Sequence, residues 1–111
     1  DTTALPARHE PVPPSWDHAT GRAVGGEPLD NAFTGWDGSA RIDAGPSSLT
    51  ISADPVFGTL QVYTPAGAGF FCVEPVSHTP DALNRADDAM SVLRPGQTLS
   101  GAIRLDRIPS P

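Results

Sequence analysis

Lysine is absent from this 111-residue chain, and cysteine occurs once, as Cys72. Without lysine, Schiff-base chemistry and the lysine of a phosphate-binding loop are excluded. With one cysteine, no intrachain disulfide and no cysteine-based zinc site can form. Aromatic residues make up 6% of the chain and apolar residues 38%, both sparse for a self-sufficient core. No stretch approaches the roughly 18 consecutive apolar residues that a membrane span requires. The opening run DTTALPARHEPVPP has neither a basic region nor an apolar segment, so no signal peptide is expected from it. A reducing, cytoplasmic setting fits this cysteine usage, although a secreted chain without disulfides would have the same composition.

What the chain does hold is acid, proline and glycine. Thirteen carboxylates against seven arginines give a net charge of −6. The arginines stand singly along the sequence, so neither nucleic acid nor an anionic membrane is an expected partner. Thirteen prolines and eleven glycines work against long helices. The length allows one domain.

Residues 1–30 are rich in proline and glycine and should run as irregular, extended coil. The strand-rich body is expected over 31–106. Phe33–Trp36 and Ser39–Ile42 flank Asp37-Gly38, a dipeptide that signals a two-residue hairpin. Leu49–Ala53 and Thr59–Tyr63 alternate apolar and polar residues, as half-buried strands do. Phe70–Val73 is an apolar run ending at Glu74. Residues 75–98 read as mostly loop, with a turn of helix near Ala86–Met90. Leu99–Leu105 alternates again as a last strand. Strands at this spacing predict an all-β, antiparallel β-sandwich or barrel.

Generic catalytic motifs are missing. There is no nucleophile elbow and no zinc-protease helix motif, and His9, His18 and His78 have no metal-ligand spacing. Surface positions are the default for such histidines. Glu74 is more informative, because it directly follows four apolar residues. A carboxylate at the mouth of a buried strand would be partly desolvated and suited to proton abstraction. Equally, it is simply the first solvent-facing residue after the strand.

The run Phe-Phe-Cys-Val-Glu (70–74), followed by Pro80-Asp81-Ala82-Leu83-Asn84 and Leu93-Arg94-Pro95-Gly96, resembles the C-terminal third of the aldose 1-epimerase (galactose mutarotase) family. Upstream, PLDNAFTGWDG (28–38) resembles that family's Leu-Asp-x-x-Phe element, and LQVYTP (60–65) its Gln-x-Tyr-Thr strand. The order is the family's, and the elements span about residues 4 to 106.

The resemblance implies a galactose mutarotase-like antiparallel supersandwich of which this chain is an incomplete portion. It implies that Glu74 is the base taking the anomeric hydroxyl proton from an aldohexose. Asp30 and Gln61 would hydrogen-bond sugar hydroxyls, and His78 would serve at the substrate rim. Otherwise Asp30 caps a turn and Gln61 is an outward strand residue. Neither metal nor cofactor is implied. The family's ring-oxygen acid, a histidine, belongs to an N-terminal segment that has no counterpart here, and none of His9, His18 or His78 matches it. An N-terminal remainder of the same protein is therefore the expected partner. The alternative is a non-catalytic carbohydrate-binding or structural β-sandwich module. A hexose-phosphate epimerase would need clustered arginine or lysine, which this sequence lacks.

Overall fold

In the computed structural model, residues 8–85 and 90–109 are described. The expected helical turn near Ala86–Met90 lies largely outside them. Six strands occur in chain order: β1 (Leu29–Thr34), β2 (Ser39–Ala44), β3 (Ser47–Ala53), β4 (Thr59–Thr64), β5 (Cys72–Val76) and β6 (Ile103–Pro109). They form two three-stranded antiparallel sheets, ordered β1-β4-β5 and β2-β3-β6. The fold is all-β and sandwich-like. Its only helical pieces among the described residues are short 3-10 turns at Pro14–Trp16 and Ala82–Asn84. No helix among those residues is long and apolar enough to cross a membrane.

Each sheet has a polar and an apolar face, as period-two alternation dictates. In the first sheet, the register puts Leu29, Phe33, Leu60, Val62 and Val73 on one side. Asp30, Gln61, Tyr63 and Glu74 fall on the other. In the second sheet, Ile42, Leu49, Ile51, Ile103 and Leu105 share one face. Arg41, Asp43, Ser48 and Thr50 occupy its reverse. There the Arg41 guanidinium and the Ser48 hydroxyl donate to the same Asp43 oxygen, at 2.8 and 2.7 Å. These bonds hold the Asp43 carboxyl below the usual carboxylate range.

Little of the apolar surface is fully covered. Among the described residues, Leu29, Ile51 and Ala82 are the buried apolar ones, whereas Leu105 is 63% exposed and Ile108 53%. The radius of gyration is 15.6 Å, against about 13 Å for a compact chain of 100 residues. Both observations describe sheets with apolar area still available for burial.

Several strand boundaries differ from those expected. Asp37-Gly38 does not close a hairpin, since β1 and β2 lie in different sheets. Instead, the dipeptide carries the chain from one sheet to the other. Asp37 Oδ1 accepts the Ser39 amide at 3.0 Å, and the Gly38 carbonyl accepts the Ala53 amide at 2.9 Å. The hairpin is β2-β3, closed by Gly45-Pro46, with Gly45 at φ 58°. Glycine before proline suits a type II′ turn, which needs positive φ first and negative φ second. β1 starts at Leu29, inside the stretch expected to be irregular.

The last strand is 103–109 rather than 99–105. Residues before it are held otherwise. Asp54 accepts the Ala102 amide on its carboxylate at 2.9 Å and donates its own amide to the Ala102 carbonyl at 3.0 Å. Gly101 lies so close to Val56 and Phe57 that a Cβ would stand 2.9 Å from the Phe57 ring. These contacts hold residues 101 and 102 against the β3-β4 connection instead of in the ladder.

Candidate functional site

The polar face of the β1-β4-β5 sheet brings three of the four sequence-derived site residues together. Gln61 on β4 is opposite Ala32 on β1 and Glu74 on β5. Asp30 is opposite Tyr63, one step along on the same face. Residues directly opposite in an antiparallel pair have Cβ atoms about 4.5–5.5 Å apart, and diagonal neighbours lie within reach of long side chains. Gln61 uses that diagonal, donating from Nε2 to Asp30 Oδ1 at 3.2 Å. Its other polar atom, Oε1, is buried and accepts no hydrogen bond from any described residue. A buried acceptor in that condition costs roughly 1–3 kcal/mol until a donor reaches it.

Glu74 corrects one expectation. The preceding aromatic residues, Phe70 and Phe71, lie outside the strand and are 59% and 37% exposed, so the apolar run does not form a buried strand. Glu74 sits instead at the middle of β5, at the margin of its sheet, and its side chain is exposed. It makes no hydrogen bond or ion pair among the described residues. Its carboxylate is thus open to a ligand but not desolvated by its neighbours.

His78 lies beyond the end of β5. It is exposed and shares a 2.9 Å hydrogen bond between Nδ1 and Ser77 Oγ. With Gln61, Phe57, Thr79, Asp81 and Met90 it lines an open cleft of about 700 Å³. One wall of this cleft is the segment Pro80–Leu83. Asp81 adopts φ 60°, a left-handed conformation that aspartate tolerates better than most residues. Asn84 Nδ2 donates to its carboxylate at 2.6 Å, and Ala82 is buried beneath the turn. The wall is tied down further where Arg85 donates to the Thr79 hydroxyl at 3.1 Å and also contacts the His9 ring.

The arrangement offers a hydrogen-bonding amide and two carboxylates on a sheet face whose own strand residues include no basic side chain. No histidine is hydrogen-bonded to Asp30, Gln61 or Glu74 among the described residues. Among those same residues, no group of three or more His, Cys, Asp or Glu is placed to hold a metal ion. The amide and the carboxylates can exchange hydrogen bonds with hydroxyl groups of a ligand. The sequence did not single out Tyr63, although it stands two residues from Gln61 and therefore on the same face.

No family model and no solved structure matches the chain. It is similar to an uncharacterized protein, YphB, of Escherichia coli strain K12, at 28% identity over 92 residues. That match takes in 69% of this chain and 30% of YphB, so the chain spans under a third of the relative's length.

Proposed function

We propose that this chain supplies part of the sugar site of an aldose 1-epimerase-like enzyme, as the C-terminal portion of a galactose mutarotase-like supersandwich. Glu74 is the base, and the acid histidine comes from outside these residues. The observation that carries the reading is the convergence of Asp30, Gln61 and Glu74. They are far apart in sequence, yet they share one sheet face with a Gln61–Asp30 hydrogen bond between two of them. The apolar area left uncovered on Ile103 and Leu105, which share the apolar face of the second sheet, agrees with a sandwich completed by further chain.

In the reaction, Glu74 removes the proton from the anomeric hydroxyl while the acid protonates the ring oxygen. The C1–O5 bond breaks and an open-chain aldehyde forms. Rotation about C1–C2 presents the other carbonyl face, and the same proton transfers in reverse close the ring as the opposite anomer. Gln61 and Asp30 hold hydroxyls of the sugar; the unpartnered Gln61 Oε1 accepts one of them. His78, on the cleft rim, contacts the substrate edge.

Replacing Gln61 with leucine in the full-length protein removes both the free acceptor and the bond to Asp30. The Michaelis constant for α-D-glucose or α-D-galactose, followed by polarimetry, is expected to rise roughly tenfold with kcat less affected. An unchanged constant would remove Gln61 from the site.

The exposure of Glu74 favours a second reading, a carbohydrate-binding module that retains the sugar face without the chemistry. The two separate on rate: a module binds sugar without hastening its anomerisation.

A further inference from the structure

Tyr63 lies on the same face as Gln61 and Glu74 and is the direct cross-strand partner of Asp30. It is 38% exposed, which is high for an aromatic side chain on an inner strand of a sheet. Phe70 packs against it edge-on, with ring centroids 6.3 Å apart and planes at 61°. Edge-to-face contact of this kind fixes the orientation of an exposed ring and reduces the conformational freedom lost when a ligand binds. Ala32, opposite Gln61, is the smallest side chain on this face. An aromatic ring with an edge-on neighbour thus shares a sheet face with one amide and two carboxylates.

Those groups are complementary to one kind of ligand. A pyranose presents hydroxyls at its rim and patches of C–H bonds on its ring faces. The hydroxyls suit Asp30, Gln61 and Glu74, while weakly positive C–H groups suit the negative face of an aromatic ring. Two carboxylates, with no basic residue among the strand positions of that face, disfavour an anionic ligand. From this juxtaposition we infer that Tyr63, oriented by Phe70, is the platform on which the C–H face of a neutral aldopyranose stacks. The inference rests on the sugar-site reading above, and adds to it a residue and the side of the sugar that binds.

The test uses the full-length protein and two probes. With a methyl α-D-glycopyranoside, whose fixed anomeric centre cannot react, saturation-transfer NMR on the wild type should show the strongest transfer to ring C–H protons. With α-D-galactose in polarimetry, Tyr63→Leu should raise KM about tenfold while leaving kcat within about threefold. Tyr63→Phe keeps the ring and should stay within about twofold of wild type in KM. Absence of saturation transfer from the wild type would overturn the inference, whatever the fate of the leucine variant. So would an unchanged KM in Tyr63→Leu, or a loss in Tyr63→Phe equal to that in Tyr63→Leu. Saturation transfer that is lost in Tyr63→Leu, without anomerisation by the wild type, would retain the platform and discard the epimerase.

Discussion

With Glu74 as the base proposed above, Glu74→Gln in the full-length protein is expected to lower kcat/KM for mutarotation by about 10²–10⁴-fold, with little change in KM. Glutamine preserves the size of the side chain and its ability to hydrogen-bond a hydroxyl, but it cannot take a proton. General base catalysis contributes a factor in this range when the base is lost. The expected split between kcat and KM follows from geometry. Gln61 and Asp30, which are linked to each other and not to Glu74, are proposed to hold the sugar and would continue to do so. Because Glu74 is exposed and makes no hydrogen bond with any described residue, the substitution leaves stability near its wild-type value. Polarimetry with α-D-glucose measures the rate, and thermal unfolding checks the fold. A variant that keeps the wild-type rate would end the role of Glu74 as base.

Gly38→Ala destabilises the protein by about 2–4 kcal/mol, read as a fall in unfolding free energy in a denaturant titration. Gly38 sits at φ 88°, where an L side chain is strained by roughly 1–2 kcal/mol. Its Cβ would also stand 2.8 Å from the backbone oxygen of Ala53. That oxygen cannot simply withdraw. The Ala53 amide donates to the Gly38 carbonyl at 2.9 Å, so parting the strands to admit a methyl weakens the bond joining them. The crossover between the sheets passes through this point, with Trp36 Nε1 donating to the Ser39 carbonyl at 2.9 Å beside it. Gly35 supplies the control. Its φ is 68°, but an added methyl there would meet nothing within 4 Å, so Gly35→Ala carries only the backbone cost of about 1 kcal/mol. Equal losses at the two glycines would show that the Ala53 contact is unimportant.

Gly38 also shows where sequence reading succeeds and where it stops. Aspartate-glycine does mark a sharp reversal with positive φ, as local chemistry requires. What that reversal connects depends on pairing between distant strands. β1 finds its partner in β4, with Leu29 opposite Thr64, and no local pattern encodes that choice. β3 and β4 are legible because clean alternation is bounded by Asp54-Pro55 and Pro65. The end of the chain is legible as a strand but not in its limits, because Leu99, Gly101, Ile103 and Leu105 continue one period throughout. Asp54 decides the start by capturing Ala102.

The candidate site divides in the same way. Spacing alone leaves Asp30 and Gln61 with ordinary structural readings, and resemblance selects them. Their shared face with Glu74 follows from the register, in which Gln61 stands opposite Glu74. The environment of Glu74 is misleading in the sequence because Phe70 and Phe71 look like the body of a buried strand. In the fold they precede the strand, and Phe70 lies against Tyr63 instead. The left-handed Asp81 and the buried Ala82 beside it give no sequence signal beyond the resemblance.

The decisive measurement is the optical rotation of freshly dissolved α-D-glucose or α-D-galactose with the full-length protein present. The proposed sugar site of Asp30, Gln61 and Glu74 predicts that rotation reaches its equilibrium value faster than in buffer, in proportion to protein concentration. A decay at the buffer rate, at every protein concentration, would contradict it.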